Sequence, residues 1–374
     1  LESQQLGSAR ILILDKDAKK DNDRTWSFWS KDIGDLAKIA VGSWERALVF
    51  APRQKGLTVE MDPYRYYTIE GLDYYNYALD KIRKAPNVTF QQETIIDCFA
   101  DGRVQTQNGN YQGRWVFKSY FTKADLPVQE ANNNFVWQHF KGWEIQTEEP
   151  AFDPEEMTLM DFRVSDDRST KFFYVLPFSA HRALIEYTEF SKDFLQQEAY
   201  DARLRQYIRQ TLGIDSYQLC KEEFGAIPMT DYDFGANLNG QVLTIGTMAG
   251  YVKPSSGYCF TRTLERNQKL VQLLETGQAI DEKQLHSNWK YQWYDAALLH
   301  ILSHQLLSGH EIFYSLFKHY QDDLVFKFLD EDSNVLEDIK IMSVVPGKAK
   351  FAHFLFQKSL STVFYRFKRL FLGV

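Results

Sequence analysis

A short apolar run that ends in an acid is the sequence feature that most constrains the fold. Ile11 to Leu14 are four apolar residues in succession, and Asp15 follows them directly. Such a run is typical of a strand buried in a parallel sheet, and in dinucleotide-binding folds the acid at its end binds a ribose hydroxyl. That fold also needs a first strand and a glycine-rich phosphate loop, whereas only LESQQLGS stands before Ala9. We therefore expect half of a nucleotide site here, with the N-terminal segment missing from this sequence.

The composition is that of a globular protein large enough for two subdomains. The chain has 374 residues, of which 44% are hydrophobic and 25% are charged, so it can bury a large core. A formal net charge of −7 gives no support for a nucleic-acid partner, and we predict none. Aromatic residues make up 15% of the chain, which suits either a pocket for a flat or long apolar ligand or a well-filled core.

The three cysteines indicate a reducing compartment. Cys98, Cys220 and Cys259 lie far apart and form no CxxC pair, which argues against a disulfide framework and a thiolate metal site. We therefore expect a cytoplasmic protein without a bound metal.

The C-terminus carries an amphipathic pattern. No stretch reaches the roughly 20 uninterrupted apolar residues of a membrane span. At helical spacing, however, one face collects large apolar residues and the opposite face collects Lys358, Arg366 and Arg369; the apolar set is Phe356, Leu360, Val363, Phe364, Phe367, Leu370 and Phe371. Such a helix can lie in a membrane interface or pack on the protein body, and the pattern does not separate the two.

Secondary-structure patterns divide the chain into four regions. Helical spacing predicts a helix over 72–84 with Asp73 as its N-cap, and TLMDFRV, KFFYVLPF and RALIEYTEF read as three antiparallel strands. An α/β sheet that is interrupted by an antiparallel sheet and later resumed is the layout of two-domain flavin enzymes. We predict an α/β fold in which 1–127 and 234–284 form a Rossmann-type FAD-binding domain, 128–233 an inserted antiparallel β substrate domain, and 285–374 a helical region.

A glycine-rich turn is the second candidate for ligand binding. In IGTMAGYVKPSSGYCFTR, Gly246, Gly250 and Gly257 stand between a strand and a helix. Glycine allows the backbone to approach a ligand, and free N–H groups at a helix start can face an anion. Near Asp15, Arg24 could pair with a diphosphate or simply neutralise the acidic loop before it.

Two carboxyl groups are candidates for acid chemistry. Strand alternation places Leu184, Glu186 and Thr188 on one face of RALIEYTEF, with Ile185 and Tyr187 on the other. A carboxyl group buried on such a strand would have a raised pKa and could donate a proton near neutral pH. Glu186 could equally be solvated, or could form a structural ion pair with Arg163 or Arg182. Asp161, in MDFR, is a similar candidate.

Together these motifs resemble the bacterial form of the FAD-dependent lycopene β-cyclases. The similarity is carried by NDRTWSFW, MDFR, YVLPFSAHRALIEYTEFS, FGAIPMT and IGTMAGYVKPSSGYCFTR, and it continues through YDAALL, IFYSLF and FLDEDSNVLEDIKIMSVVP. The order and spacing of these motifs make the match strong. The resemblance implies closure of the linear ends of lycopene, or another linear carotene, into β-ionone rings. This is a net non-redox isomerisation that uses reduced FAD, with NAD(P)H as the electron source.

The resemblance also assigns roles to residues. It implies that Glu186 is the essential acid, that the turn holds the flavin through its three glycines and Tyr258, and that Asp15 and Arg24 contact the adenosine-diphosphate half. The polyene tunnel would be lined by aromatics such as Trp137, Trp143, Phe173 and Tyr174. From the insoluble substrate and the amphipathic C-terminal pattern together, we expect a cytoplasmic protein that lies peripherally on the inner face of the cell membrane.

Members of this family begin with a strand and a GxGxxG turn, so we expect the chain as given to bind FAD weakly and to have little activity. Two alternatives stay open. One is a related flavoprotein reductase or monooxygenase that acts on an isoprenoid, and the other is an inactive truncated homologue.

Overall fold

The structure, a computed structural model, describes residues 3–120, 133–165, 169–234, 237–280, 282–320, 323–350 and residue 354. Its strands are β1 (Ile11–Asp15), β2 (Thr25–Ser30), β3 (Ala40–Trp44), β4 (Arg46–Phe50), β5 (Leu57–Glu60), β6 (Arg65–Glu70), β7 (Val88–Gln92), β8 (Ile95–Cys98), β9 (Arg103–Thr106), β10 (Asn110–Gln112), β11 (Val116–Lys118), β12 (Phe135–Gln146), β13 (Glu156–Asp161), β14 (Thr170–Ser179), β15 (Arg182–Ser191), β16 (Gln218–Thr230), β17 (Leu238–Asn239) and β18 (Val242–Thr244). Its α-helices are α1 (Gly71–Lys84), α2 (Gln197–Gln210), α3 (Phe260–Glu275), α4 (Trp289–Ser303), α5 (Gly309–His319), α6 (Leu324–Leu329) and α7 (Val335–Val344).

A seven-stranded sheet forms the middle layer of the molecule, with strand order β16-β12-β15-β14-β13-β4-β5. Its neighbouring strands are antiparallel except for β13 and β4, which run parallel. The three antiparallel strands predicted from the sequence are therefore confirmed as β13, β14 and β15. β13 ends at Asp161, earlier than the TLMDFRV pattern indicated, because Phe162–Val164 forms a short 3-10 helix.

Strand alternation gives this sheet two apolar faces. On one face, Phe173, Ile185 and Tyr187 pack with Tyr200 and Leu204 of α2. On the other face, residues such as Phe172, Tyr174 and Leu184 join one core cluster with residues of β3, β6 and the helices α4 to α7. The predicted separation of Leu184 from Ile185 and Tyr187 is thus confirmed. Because side chains alternate, a polar residue in this sheet lies between apolar neighbours on its own face.

The remaining strands form smaller sheets. β1 pairs with β7 in parallel, β11 pairs with β18 in parallel, and β2, β6 and β3 form an antiparallel sheet. The parallel pairing predicted for β1 is confirmed, but its burial is not: Ile11 and Leu12 are 40% and 41% exposed. In the described part of the chain β1 has β7 as its neighbour, and its side chains border an open apolar groove that also includes Tyr74, Tyr77 and Val88.

The large sheet takes strands from both sides of the predicted boundary at residue 128. β4 and β5, which lie before that boundary, extend the sheet beyond β13. The antiparallel region and the first region therefore share one hydrogen-bonded sheet. The four-part division itself stays a prediction.

Helix α1 begins earlier than its sequence pattern indicates. Its N-cap residue is Glu70, and Asp73 lies within the first turn, so the prediction of Asp73 as the cap is wrong. The preceding loop supplies the acceptors instead: the N–H of Gly71 donates to the carbonyl of Arg24 at 2.8 Å, and the N–H of Leu72 donates to Asn22 Oδ1 at 3.3 Å. These bonds satisfy amides that a helix leaves free at its start.

The C-terminal region is helical over 289–344, in four helices. None of the helices in the described ranges is long and apolar enough to cross a membrane. The amphipathic pattern from Phe356 to Phe371 lies outside the described residues.

A buried ion cluster joins the glycine-rich turn to these helices. Lys253 Nζ lies 3.0 Å from both carboxylate oxygens of Asp295 on α4 and 3.1 Å from Glu331 Oε1. Ser255 Oγ donates to Asp295 Oδ1 at 2.6 Å, and the guanidinium of Arg262 pairs with Glu331. Because the Lys253 and Asp295 side chains are almost fully buried, removing either charge would leave the other poorly compensated.

We expect Asp295→Ala to lower the free energy of unfolding by about 3 kcal/mol, the usual cost of breaking a buried pair from one side. Asp80→Ala is the control, because its pairs with Arg83 and Lys84 are well exposed and such pairs contribute little. Urea unfolding of both variants measures the difference. Equal midpoints would contradict the proposed importance of the cluster.

Candidate active site

Four residues form a row across neighbouring strands of the large sheet. Tyr174 on β14 lies opposite Glu186 on β15, Glu186 lies opposite Gly142 on β12, and Gly142 lies opposite Glu223 on β16. Directly paired residues project from the same face of a sheet. The two carboxyl groups therefore flank a position that has no side chain.

A cavity of about 120 Å³ lies over this row, several times the roughly 30 Å³ that one water occupies in the liquid. Its walls come from the large sheet, from β2 and β6, and from the loop before α3. They consist of Thr25, Trp26, Ser27, Tyr66, Gln138, Phe140, Tyr174, Leu176, Glu186, Glu223, Ile227, Ser256, Gly257, Tyr258, Cys259 and Phe260. Glu186 thus faces a cavity in which half of the lining residues are aromatic or aliphatic.

Glu186 is partly buried in this wall. Burial, and secondarily the nearby Glu223 carboxyl, raise the pKa of Glu186 to about 8, and a hydrogen bond from Thr188 Oγ1 at 2.9 Å opposes the rise. Arg163 pairs with Asp161 and Arg182 pairs with Glu144, so neither arginine makes the structural ion pair that the sequence left open. A pKa near 8 favours the protonated form of the Glu186 carboxyl at neutral pH.

Three phenol groups meet beside Glu186. The hydroxyl of Tyr258 lies 3.1 Å from that of Tyr66 and 3.4 Å from that of Tyr174. Burial raises the pKa of Tyr258 to about 12 and raises the pKa values of Tyr66 and Tyr174 well above the ordinary value. All three are neutral near pH 7, and their ring faces can attract a cation.

Glu223 is a site residue that sequence reasoning missed. It is buried on β16, and Thr25 Oγ1 donates to its Oε2 at 2.6 Å. Lys221, two residues earlier on the same face, lies 3.8 Å from the same oxygen. Burial raises the pKa of Glu223, while Thr25 and Lys221 oppose that rise. The signal was present in KEEFGAIPMT, where alternation puts Glu223 and Ile227 on one face, but the partner strands could not be read from the sequence.

The glycine-rich turn closes the other side of the cavity. Gly246, Gly250 and Gly257 all have positive φ, of 74°, 69° and 75°, a region that other residues occupy only with strain. A Cβ on Gly257 would lie 2.0 Å from Gln138 Oε1, so the Gln138 amide would have to shift to admit a side chain here. Gly257 and Tyr258 line the cavity, whereas Gly246 and Gly250 lie outside its lining.

Two buried polar atoms at this turn have no hydrogen-bond partner among the described residues. They are Gln138 Oε1 and Ser256 Oγ, and both residues line the cavity. Unsatisfied buried polar atoms are costly and are expected where a ligand supplies the missing partner. The residues at the turn therefore fit a polar, planar group such as a flavin ring, which offers both donors and acceptors at its edge.

Asp15 and Arg24 lie in one surface patch. Lys19 Nζ is 3.0 Å from Asp15 and 5.4 Å from the centre of the Tyr75 ring, while the Tyr75 hydroxyl donates to Asp23, which pairs with Arg24. Arg24 directly precedes β2, whose first residues line the cavity. The patch and the cavity are thus joined by β2.

Asp161 lies outside the cavity lining. Its carboxylate accepts hydrogen bonds from the Arg163 guanidinium at 2.5–3.0 Å and from the Tyr207 hydroxyl at 2.7 Å, and it caps the backbone N–H of Arg163. These bonds account for both oxygens. The contacts support a structural role, and the catalytic role stays an untested prediction.

The aromatics predicted to line a tunnel divide between the two faces of the sheet. Tyr174 lines the cavity. Trp143 and Phe173 pack against α2 on the opposite face, and Trp137 packs with Phe135 and Phe194. Alternation puts Phe173 and Tyr174 on opposite faces, whereas the face of Trp137 and Trp143 follows from the register of β12 against β15.

The described residues contain no cluster of three or more metal-ligating side chains. His300 and His304 are one helical turn apart on α4, a spacing that metal sites also use. His300 Nδ1, however, contacts Asn134 Oδ1 at 2.9 Å, and His304 Nδ1 contacts the carbonyl of His300 at 3.0 Å.

Solved structures of other proteins share this architecture. A geranylgeranyl bacteriochlorophyll reductase-like protein from Thermoplasma acidophilum superposes with a TM-score of 0.60, over 94% of each chain and at 13% identity. A probable FAD-dependent monooxygenase from Pseudomonas aeruginosa superposes with a TM-score of 0.55, over 81% of this chain and 93% of that one, at 14% identity. The fold is therefore that of the FAD-dependent flavoproteins: a Rossmann-type α/β part, an antiparallel sheet and a helical C-terminal region.

Within that class, the sequence profile of the lycopene cyclase protein family matches residues 3–354. The chain belongs to the lycopene cyclase family, which confirms the resemblance noted in its motifs. A lycopene beta-cyclase from a Paracoccus species is 34% identical over 127 residues, which are 33% of this chain. The chain thus spans about a third of the length of that relative, 32%.

We expect Gly257→Ala to destabilise the protein more than Gly246→Ala. Both variants place a side chain at positive φ, which costs about 1–2 kcal/mol, but only the Cβ at 257 meets another residue, because no atom lies within 4 Å of a Cβ at 246. Urea unfolding measures the difference. In a Gln138→Ala background the excess cost at 257 should disappear, and an unchanged excess would contradict the assigned contact.

The raised pKa of Glu186 predicts a pH-dependent stability. A carboxyl group whose folded pKa is near 8, against 4.5 when unfolded, contributes stability that is complete below pH 4.5 and is lost as pH rises towards 8. Glu186→Gln removes this dependence, so its stability relative to the parent should increase over that range, by about 3–5 kcal/mol at most. Unfolding free energies at several pH values test this. Parallel pH profiles would show that Glu186 is not desolvated.

Proposed function

We propose that this protein is a lycopene β-cyclase, an isomerase (intramolecular lyase) that closes the linear ψ-ends of lycopene or another linear carotene into β-ionone rings. The products would be γ-carotene and then β-carotene. Membership of the lycopene cyclase family supports this proposal. The observation that carries it is the Glu186 carboxyl, whose pKa burial raises to about 8, in a cavity lined by phenols and other aromatic rings.

Glu186 would begin the reaction as the general acid. Its proton adds to the terminal double bond of the ψ-end and leaves a tertiary cation, which the neighbouring double bond attacks to form the ring. Loss of a ring proton then yields the β-ring, so one proton enters and one leaves, and no electrons are gained or lost. A pKa near neutrality suits this role, because the acid is protonated yet able to donate.

The cation needs an environment that lowers its energy without trapping it as an alcohol. The ring faces of Tyr66, Tyr174 and Tyr258 provide negative quadrupole density, and the carboxylate left on Glu186 provides a full charge. Trp26 and Phe260 also line the cavity, and the centres of their rings lie 5.9 Å apart. Aromatic walls limit the water that could capture the cation.

We also propose that the protein binds FAD at the glycine-rich turn. Gly257, Ser256 and Gln138 would hold the flavin ring, and Asp15 and Arg24 would contact the adenosine-diphosphate half. Bound in its reduced form, with NAD(P)H as the electron source, the flavin would supply electron density that stabilises a cation. Gly246 and Gly250 would shape the turn, which Arg266 ties to α3 by donating to the carbonyl of Gly250 at 2.8 Å.

The substrate and the C-terminal sequence suggest where the protein acts. Lycopene is insoluble in water, and the residues from Phe356 to Phe371 have the pattern of a helix that lies in a membrane interface. We propose a cytoplasmic protein bound peripherally to the inner face of the cell membrane.

A second candidate is a reductase or monooxygenase that acts on an isoprenoid. The solved structures that share the fold favour it, since one is reductase-like and another is a probable monooxygenase. Such chemistry would change the oxidation state of the substrate and would not require an acid at Glu186.

Expression of the full-length protein in lycopene-accumulating bacteria tests these proposals. The expected products are γ-carotene and β-carotene, identified by chromatography and mass. Hydrogenated or hydroxylated products would favour the second candidate. Unchanged lycopene, with the protein folded and flavin-bound, would overturn the cyclase proposal.

Glu186→Gln should reduce cyclisation at least about 100-fold, because the amide cannot donate a proton to carbon and acid catalysis contributes factors of this size. Glu189→Gln is the matched control, since Glu189 lies on the same strand, where it accepts from the Tyr187 hydroxyl at 2.6 Å. Product formation at the parent rate by the Glu186→Gln variant would remove Glu186 from the mechanism.

A further inference from the structure

We propose that Glu223 is the anionic partner of Glu186: anchored by Thr25 and Lys221, it carries the negative charge of the carboxyl pair and keeps the proton on Glu186. Glu223 is thus a positioning residue that acts through Glu186. The inference depends on the proposed function only where it says what the retained proton is for.

The backbone register places the two carboxyl groups on one face. Glu186 and Glu223 each lie opposite Gly142 on β12, and both line the same cavity. Neighbouring strands lie about 4.8 Å apart, so the two backbones are about 10 Å apart, a distance that two glutamate side chains can largely close. A third side chain between them would separate the pair.

Glycine at position 142 allows neighbouring side chains to approach its backbone. A Cβ built there would lie 3.0 Å from Glu223 Cγ, 3.1 Å from Leu184 Cδ1 and 3.3 Å from Glu223 Oε1. The Glu223 side chain therefore leans over Gly142, in the direction of β15 and Glu186. Its Oε1 is the oxygen nearer to Gly142, whereas its Oε2 accepts the proton of Thr25 Oγ1 at 2.6 Å.

The partners of the two carboxyl groups differ in kind. Glu223 has a short hydrogen bond from Thr25 and the ammonium of Lys221 at 3.8 Å, and Lys221 also lies 3.3 Å from Thr25 Oγ1. Glu186 accepts from the Thr188 hydroxyl at 2.9 Å, and none of the ion pairs in the described part of the chain includes it. A cation and a donor favour the charged form, so the charge of the pair belongs on Glu223.

Other charged and titratable groups surround the pair. Those that act on Glu223 besides Glu186 are Thr25, Lys221, Glu70 and Glu144; Glu144 is itself paired with Arg182, and Asp73 acts on Glu70 and Lys221. Those that face Glu186 are Thr188 and the phenols of Tyr66, Tyr174 and Tyr258. Lys221 is shared, at 3.6 Å from Glu70, so its charge is divided between two carboxylates.

An anion on Glu223 has two consequences for the reaction. Like charges at one site cannot both form easily, so an ionised Glu223 keeps Glu186 protonated. The same fixed charge lies on the wall where the substrate cation would form, and a prearranged charge of opposite sign stabilises a cation. One residue would then both retain the proton before the reaction and favour its transfer.

The titration of Glu186 tests the inference directly. pH-difference infrared spectroscopy reports a protonated carboxyl, and the signal that disappears in Glu186→Gln is assigned to Glu186. In Glu223→Gln we expect the midpoint for Glu186 to fall by about one pH unit, because a neighbouring negative charge has been removed. An unchanged midpoint would overturn the proposal.

Two further variants keep the test decisive. Glu222→Gln is the control, since Glu222 is the next residue on β16, its side chain is 49% exposed and it pairs with Lys141; it should leave the midpoint unchanged. If Glu223→Gln does not fold, Thr25→Val removes the anchoring donor without altering either carboxyl. Charge then moves from Glu223 towards Glu186, and the midpoint should again fall.

The pH dependence of activity separates this inference from the proposed function. If lycopene is cyclised, Glu223→Gln should shift the alkaline limb of the rate profile to lower pH by the same amount, and Glu223→Asp should restore it. A shifted infrared midpoint without any cyclisation would reject the function and keep the charge partnership. Cyclisation with an unshifted infrared midpoint would support the proposed function and reject the charge partnership.

Discussion

The buried pairing of Lys253 with Asp295 and Glu331 is the interaction on which the site most depends. It fixes the glycine-rich turn to the C-terminal helices, and the turn in turn carries Gly257 and Tyr258 into the cavity. A loop with three positive-φ glycines has many conformations available to it. The ion cluster, together with the hydrogen bond of Ser255, selects one of them. Burying the charges of Lys253, Asp295 and Glu331 costs free energy. Their pairing holds the glycine-rich turn in the position that brings Gly257 and Tyr258 to the cavity.

The opposite wall of the cavity is rigid for a different reason. Glu186, Gly142 and Glu223 lie in the interior of long strands, and two-sided burial of the sheet fixes which face each side chain takes, because a shift of one residue would expose an entire apolar face. The acid therefore lies on a rigid element, and the cofactor residues lie on a loop held by ion pairs. Tyr258 joins the two walls through its contacts with Tyr66 and Tyr174.

Patterns within single segments of the sequence were enough to predict several features of the fold and the site. These features are the face of Glu186, the parallel pairing of β1, the helix at 71–84 and the glycine-rich turn. Contacts between distant segments could not be predicted in that way. Glu223 joins the site through Thr25, which is 198 residues away in the chain, and Asp161 is engaged by Tyr207 from α2. The exposure of β1 was missed for the same reason, since burial depends on the neighbours that a strand acquires.

The parallel contact between β13 and β4 has a consequence for how this protein can be divided. Because β4 and β5 complete the sheet that carries Glu186, the antiparallel region is not an independent module. Excised at residue 128, it would present the long edge of β13 with unpaired N–H and C=O groups, and such edges promote aggregation. A recombination event that exchanged this region between relatives would therefore have to carry residues 46–60 with it. The sheet is built from two segments that are separated in the sequence, residues 46–60 and the antiparallel region, and the two would have to be exchanged together.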